Sequence, residues 1–341
     1  MAKIATQIAI VVILRIVIHT PSSYTWAVEL DEKWYPDQVE FADEFSSVFD
    51  DGQRMIDDVS AECDAICSRG GVHHSSPYSV SVHPTHPQKR GWEVLPDGLL
   101  WHSYLADPHE PRISMVITQN NNADFFWDAT LGGRVGLLRY GTSGALDPKG
   151  WQWDLEGAVM TRLDLQHAED VESMDYRFGT LITKSEGPWA MKFGYFHISS
   201  HVGDEFLVRN PTFTRINYVT ESMILGASYK PVDAIRLYGE MANAFRASDG
   251  ARRYQFQTGA EFTPAPNRPG KLMPFAAAHF NFRQAVDYDV STSVQVGMGY
   301  LGPKSGRRLR FGLHYSDGPT SQYEFFTRRE SIAGLGIWFD Y

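Results

Sequence analysis

Twelve stretches in which apolar and polar residues alternate follow one another from about residue 112 to the end of the chain, and few folds can accept such a pattern. They lie near 112–119, 124–140, 151–165, 174–185, 188–200, 215–230, 234–246, 252–264, 271–284, 290–301, 306–316 and 330–341. Side chains on a strand point to opposite faces in turn, so a period of two marks a β-strand with one apolar and one polar face. Between 252 and 262, Tyr254, Phe256, Thr258, Ala260 and Phe262 oppose Arg253, Gln255, Gln257, Gly259 and Glu261. The repeat, about nineteen residues per strand and connection, suits tilted membrane strands of roughly 9–11 residues with their loops.

In a soluble lipocalin-like or sandwich protein the apolar faces have to meet one another. Here nearly every strand carries one, and the polar faces bear bulky charges of both signs. Arg253, Arg283, Arg308, Arg310, Glu240, Glu261 and His279 are expected to pair across a lumen and fill it rather than line a selective pore. The chain ends with Ala333, Leu335, Ile337, Phe339 and Tyr341 on one face, which resembles the C-terminal assembly signal of bacterial outer-membrane barrels. The expected fold is all-β: an antiparallel transmembrane β-barrel of about twelve strands over residues 92–341, placed in the bacterial outer membrane. Closure satisfies every backbone group in lipid.

Composition agrees. With 41 acidic and 31 basic residues the net charge is −10, which disfavours a nucleic-acid partner. A mean hydropathy of −0.30 with 21% charged residues excludes a helical multi-span protein. The 20 Phe, 9 Trp, 16 Tyr and 29 Gly, a rich supply of aromatics and of turn or close-packing residues, suit an all-β protein, soluble or outer-membrane.

Residues 1–27 read as an export signal. Lys3 precedes the apolar run Ile8 to Leu14, and Thr25-Trp26-Ala27 ends on a small residue. Arg15 interrupts that run, which is too short for a membrane anchor. Residues 28–91 read as a helical and linker extension. Val39, Phe41, Phe45, Val48, Phe49, Ile56 and Val59 fall at helical spacing, and Gly70 to Arg90 has no period. The helices either cap the barrel or engage a periplasmic protein partner. Cys63 and Cys67 are a disulfide or two thiols in an exported chain; a metal site drawn from them with His73, His74, His83 and His86 matches no standard spacing.

With an even strand number and both barrel termini in the periplasm, the connections near 185–188, 230–234, 264–271 and 302–306 are inner turns, and 201–214 and 317–329 are outer loops. At the outer end of the fifth strand stands His197-Ile198-Ser199-Ser200-His201-Val202-Gly203-Asp204-Glu205. His197 and Ser199 share a face with Met191, Phe193 and Tyr195, so they point to lipid, where bare polar groups are costly unless they serve one another. The next strand offers Asn217 and Glu221 on the same face. A serine nucleophile needs a base, and the base needs a carboxylate or amide to hold its tautomer. The competing reading is a hydrogen-bond network with Arg209 or Arg215 that braces the loop.

The His197-Ile198-Ser199 stretch resembles the His-x-Ser-Asn motif of the outer-membrane phospholipases A and the lipid A 3-O-deacylases, with Ser200 in place of the asparagine. That resemblance implies Ser199 as nucleophile, His197 as base, Asn217 or Glu221 as its orienting partner, and an acyl ester of membrane lipid as substrate. It also implies a calcium ion that polarises the ester, with Asp204 and Glu205 as candidate ligands. The alternative is a non-catalytic structural or pore-forming barrel. A broader resemblance rests on Trp92-Glu93-Val94-Leu95-Pro96-Asp97-Gly98, Ser103-Tyr104-Leu105-Ala106, Glu110-Pro111-Arg112, Arg139-Tyr140-Gly141 and Arg215-Ile216-Asn217-Tyr218. These are similar to a bacterial domain family of unknown function, which supports the fold and implies no activity.

Overall fold

The computed structural model describes residues 89–264 and 268–341. The export signal, the amphipathic helices, Cys63 and Cys67 lie outside the described residues. In chain order the strands are β1 (Gly91–Val94), β2 (Ile113–Asn120), β3 (Phe125–Gly141), β4 (Gly150–Asp164), β5 (Asp170–Glu186) and β6 (Trp189–Val202). After the helix α1 (Asp204–Arg209) come β7 (Val219–Val232), β8 (Ile235–Ser248), β9 (Tyr254–Phe262), β10 (Leu272–Arg283), β11 (Val290–Leu301), β12 (Arg308–Pro319) and β13 (Arg329–Asp340).

The long strands β2 to β13 each pair antiparallel with the next, and β13 pairs back onto β2 with Phe339 opposite Ile113, so the sheet closes into a twelve-stranded cylinder. All twelve alternating stretches become these strands. The short β1 lies beside the end of β3, Gly91 opposite Gly141.

The polarity of the cylinder is inverted relative to a soluble protein. Large apolar side chains stand exposed around the outside, among them Ile117 on β2, Trp153 on β4, Phe193 on β6, Leu225 on β7, Phe311 on β12 and Ile337 on β13. Charges lie inside as ion pairs: Glu156 with Arg134 (2.6 Å) and Arg177 (2.7 Å), Arg162 with Asp128 and Glu330 (both 2.7 Å), and Arg310 with Asp340 (2.7 Å). A buried charge is tolerable only when paired, and antiparallel register supplies the partners, since Arg134 sits opposite Glu156. Arg253 departs from the expected set. It is exposed in the loop before β9, because its backbone carbonyl binds the Ala244 amide and β9 begins only at Tyr254.

Residues 95–112 fill the lumen. Trp101, Tyr104, Leu105 and Ala106 are fully buried there. A segment without strand partners needs other groups for its backbone, and the inner wall provides them. Arg236 donates to the carbonyls of His102 and Ser103, Arg134 to Trp101 and Arg310 to Leu105, while Arg112 of the segment itself donates to those of Tyr104 and Leu105. Glu261 accepts from the Leu105 amide at 2.8 Å, and Glu240 from the Tyr104 hydroxyl at 2.8 Å. Lys192 Nζ, 2.5 Å from Glu240, lies over the rings of both Trp101 and Tyr104. Tyr104 stacks on Tyr238 at 3.9 Å, and that phenol occupies the place a side chain on Gly259 would need: a Cβ there would meet the Tyr238 hydroxyl at 2.3 Å.

The far end of the cylinder, opposite the barrel termini, is capped by 203–218 and 320–328. Phe206 of α1, Phe213 and Phe325 form an aromatic cluster with Arg328 over Phe325 at 3.9 Å. Glu324 accepts from the Ile216 amide at 2.9 Å, while its second oxygen is buried without a partner; burial raises its pKa above the ordinary carboxylate range.

Candidate active site on the outer face of the wall

The far halves of β5, β6 and β7 carry the polar stretch that the sequence singles out. Ser199 lies between Tyr176 and Val219, and His197 between Phe178 and Glu221, all on the outward face. A bulge in β8 opposite Glu221 and Ser222 leaves Phe245 unpaired and exposed, its ring 6.3 Å from Tyr195. Bulges of this kind re-aim side chains beside functional sites.

Two separate contacts arise within the patch. His197 Nδ1 is 3.0 Å from Glu221 Oε1, and Tyr195 donates its hydroxyl hydrogen bond to Glu221 Oε2. Ser199 Oγ is 3.0 Å from His201 Nε2, and His201 Nδ1 is 2.9 Å from the Arg215 guanidinium. His197 and Glu221 side chains are about a third and a fifth exposed.

The hydrogen-bonding inventory fixes the tautomers. An ionised carboxylate only accepts, so His197 carries a proton on Nδ1, and in the neutral imidazole Nε2 is the acceptor. Arginine only donates, so His201 accepts at Nδ1 and carries its proton on Nε2, which donates to Ser199. His201 therefore cannot take the Ser199 proton in this arrangement. It holds the serine oxygen and leaves the hydroxyl hydrogen free to turn elsewhere. His197, two residues along the same face, has the protonation pattern of a general base.

Of the expected residues, the structure brings together His197 and Glu221 and puts Ser199 beside them in the strand. Asn217 precedes β7, is exposed, and uses its backbone carbonyl to accept from Ser248. Asp204 and Glu205 are exposed in the first turn of α1. Among the described residues no group of three or more His, Cys, Asp or Glu side chains is arranged to hold a metal ion. Tyr195 was read in the sequence only as part of the face shared with His197 and Ser199, whereas the contacts of His201 with Ser199 and Arg215 are those of the loop-bracing network offered there as the competing reading.

Comparison with solved structures gives likenesses at low identity. Outer membrane phospholipase A from Escherichia coli is 10% identical, covering 68% of this chain and 94% of that one, with a TM-score of 0.45. The outer membrane phospholipase dimer of Salmonella typhi with bound calcium is 13% identical, covering 68% and 91%, with a TM-score of 0.42. OmpT, an outer membrane protein of Vibrio cholerae, is 8% identical, covering 69% and 98%, with a TM-score of 0.30. The comparison with curated proteins gives no match. The closed cylinder with its apolar exterior is a β-barrel of outer-membrane type. A family profile matches residues 66–341, and the chain therefore belongs to the family described as protein of unknown function (DUF1207).

Proposed function

We propose that this barrel hydrolyses an acyl ester of phospholipid or lipopolysaccharide in the outer leaflet of the bacterial outer membrane, after export directed by residues 1–27. The observation that carries the reading is the 3.0 Å contact of His197 Nδ1 with Glu221 Oε1, which in the neutral imidazole leaves Nε2 as the acceptor on the outward surface, in phase with Ser199.

In the proposed reaction Ser199 Oγ attacks the ester carbonyl while His197 Nε2 takes its proton. Glu221, braced by Tyr195, stabilises the imidazolium that forms. The tetrahedral adduct collapses to an acyl-serine, and His197 returns the proton to the departing alcohol. Water, deprotonated by His197, then releases the fatty acid. For this step the Ser199 hydroxyl must leave its place beside His201 and come within hydrogen-bond reach of His197 Nε2. In this reading residues 28–91 engage a periplasmic protein partner.

Purified protein in detergent should release fatty acid from one of these two lipids. Ser199→Ala and His197→Asn should abolish release while the barrel still folds, and His201→Asn should keep most of it. Equal release from wild type and Ser199→Ala would end this reading. The rival, a barrel with a purely structural role, draws on the filled lumen and on the Ser199–His201 hydrogen bond, which by itself braces the outer loop.

A further inference from the structure

Charges on the far rim of the barrel are sorted by sector. Arg209 is tied to Asp164 at 3.4 Å and to Asp170 at 3.3 Å, and Arg329 pairs with Asp289. Arg215, Arg246, Arg252 and Arg253 differ: all four are exposed, and none forms an ion pair among the described residues. Arg252 donates to the carbonyl of its neighbour Ala251, and Arg215 to the neutral His201 ring.

These four arginines flank the outward row of His197 and Ser199. Phe178, His197, Glu221 and Arg246 stand opposite one another across β5, β6, β7 and β8, so Arg246 is two strand spacings, about 10 Å, from His197. Arg215 lies on the other side, against His201. Arg252 and Arg253 follow in the turn after β8, and the Ser248 hydroxyl donates to the Asn217 carbonyl at 3.0 Å, which joins the end of β8 to the segment carrying Arg215. The acids of this sector are Asp249, exposed in the turn, Glu221, held by Tyr195 and His197, and the buried Glu324, which accepts from the Ile216 amide. Asp204 and Glu205 belong to α1, which packs on β5, and Asp287 lies beyond β9 in the turn between β10 and β11. Cations thus exceed anions here, on a chain whose net charge is −10.

The planar guanidinium fork matches phosphate with two parallel N–H···O bonds, and a cluster of such groups without carboxylate partners favours an anionic ligand. Because Arg215 stands on one side of the site and Arg246, Arg252 and Arg253 on the other, the arrangement suits two phosphates set apart rather than one. Thr212, Thr214 and Asn217, exposed beside Arg215, offer hydroxyl and amide groups of the kind that sugar hydroxyls pair with. Towards the middle of the wall the same outward face turns apolar, with Phe193, Met223, Leu225 and Met241 exposed. An amphiphile with an anionic sugar head fits that order of surfaces.

We infer that this sector binds a glycolipid carrying two phosphate groups, with its sugars against the arginine rim and its acyl chains along the apolar face of β6 to β8. That such a lipid is also the substrate of Ser199 and His197 rests on the function proposed above; the binding does not.

The test uses the full chain with Ser199→Ala, so that no ester is consumed, in dodecyl maltoside, with diphosphoryl lipid A as probe. Monophosphoryl lipid A, cardiolipin and phosphatidylglycerol are the comparisons. Thermophoretic titration should show saturable binding of the probe, about tenfold or more tighter than that of phosphatidylglycerol. Monophosphoryl lipid A and cardiolipin should both bind more weakly than the probe, and added salt should weaken the probe's binding. Arg246→Gln, Arg252→Gln and Arg253→Gln together should weaken it by about tenfold or more. The unfolding midpoint should hold, since the only hydrogen bond these side chains make is that of Arg252 to Ala251. Equal binding of the two lipid A forms, cardiolipin binding as tightly as the probe, or unchanged affinity in the triple variant would overturn the inference. Fatty-acid release by the wild type is read separately. A barrel that binds the probe and releases no fatty acid keeps this inference and loses the hydrolase, and one that releases fatty acid with no preference for the probe does the reverse.

Discussion

His197 and Glu221 face each other across the seam between β6 and β7, Nδ1 to Oε1 at 3.0 Å, on the surface that meets lipid rather than lumen. If this contact sets the tautomer for general-base work, Glu221→Gln lowers the hydrolysis rate by on the order of a hundredfold or more. Tyr195→Phe, which removes only the bond bracing the carboxylate, costs less. Initial rates of fatty-acid release measure both, and a Glu221→Gln protein with wild-type rate would remove Glu221 from the reaction.

Inside the wall, Lys192 and Glu240 form a pair at 2.5 Å with side chains almost wholly buried. Removing one partner strands the other charge, so Lys192→Met should cost about 3–5 kcal/mol and lower the thermal unfolding midpoint in detergent. The double variant Lys192→Met/Glu240→Gln should recover part of the loss. A double variant less stable than Lys192→Met alone would contradict this.

Residues 95–112, held by arginine clamps, occupy the lumen, so the wild-type protein should be electrically silent in planar bilayers. Replacing 97–110 by a short Gly-Ser linker should give a steady conductance. A conducting wild type would mean that the segment leaves the lumen under the conditions of the recording.

Gly259→Ala places a methyl group 2.3 Å from the Tyr238 hydroxyl, which must move and give up its bond to His279. Overpacking of this kind costs about 1–3 kcal/mol. Gly157→Ala, whose new carbon would meet only the Arg177 carbonyl oxygen at 3.7 Å, should unfold within a degree or two of wild type. Unfolding midpoints that do not separate the two variants would refute the close-approach argument.

Glu324 gives the far cap a pH dependence with a defined sign. Its carboxyl has a pKa raised by burial, so the folded cap holds a proton more tightly than the unfolded chain does. The contribution is therefore greatest in mild acid and declines as pH rises through the raised value. Hydrogen exchange at the Ile216 amide should slow as pH is lowered from neutral, after correction for the intrinsic rate. Glu324→Gln should flatten that trend, and an unchanged trend in the variant would assign it to another group.

The wall of this protein was legible in its sequence because a period of two survives in every strand, and one slip of register would turn all its charges towards lipid. The pairing of interior charges was legible in part: Glu240, Glu261 and Arg310 form ion pairs, whereas Arg283 donates to the Thr320 carbonyl and Arg308 keeps a buried Nε without a hydrogen-bond partner. The lumenal segment was not: residues 95–112 carry no period, and many of their partners lie on strands more than a hundred positions away, as with Tyr104 and Glu240. At the outer site, alternation puts His197, Ser199 and His201 in one row but cannot say which histidine meets the serine. That depended on Arg215, fourteen residues further on, which engages His201 and settles its tautomer.

The filling of the cylinder also bears on how it can be assembled. Leu95 donates its amide to Leu137 near the end of β3, and Arg112 lies 3.1 Å from Asp340 at the end of β13, so the lumenal segment enters and leaves on the same side. It is a doubled-back finger and not a thread. The last strand can zip onto the first before the finger is inserted, and the finger can be drawn out again with no strand unpaired and no knot to undo.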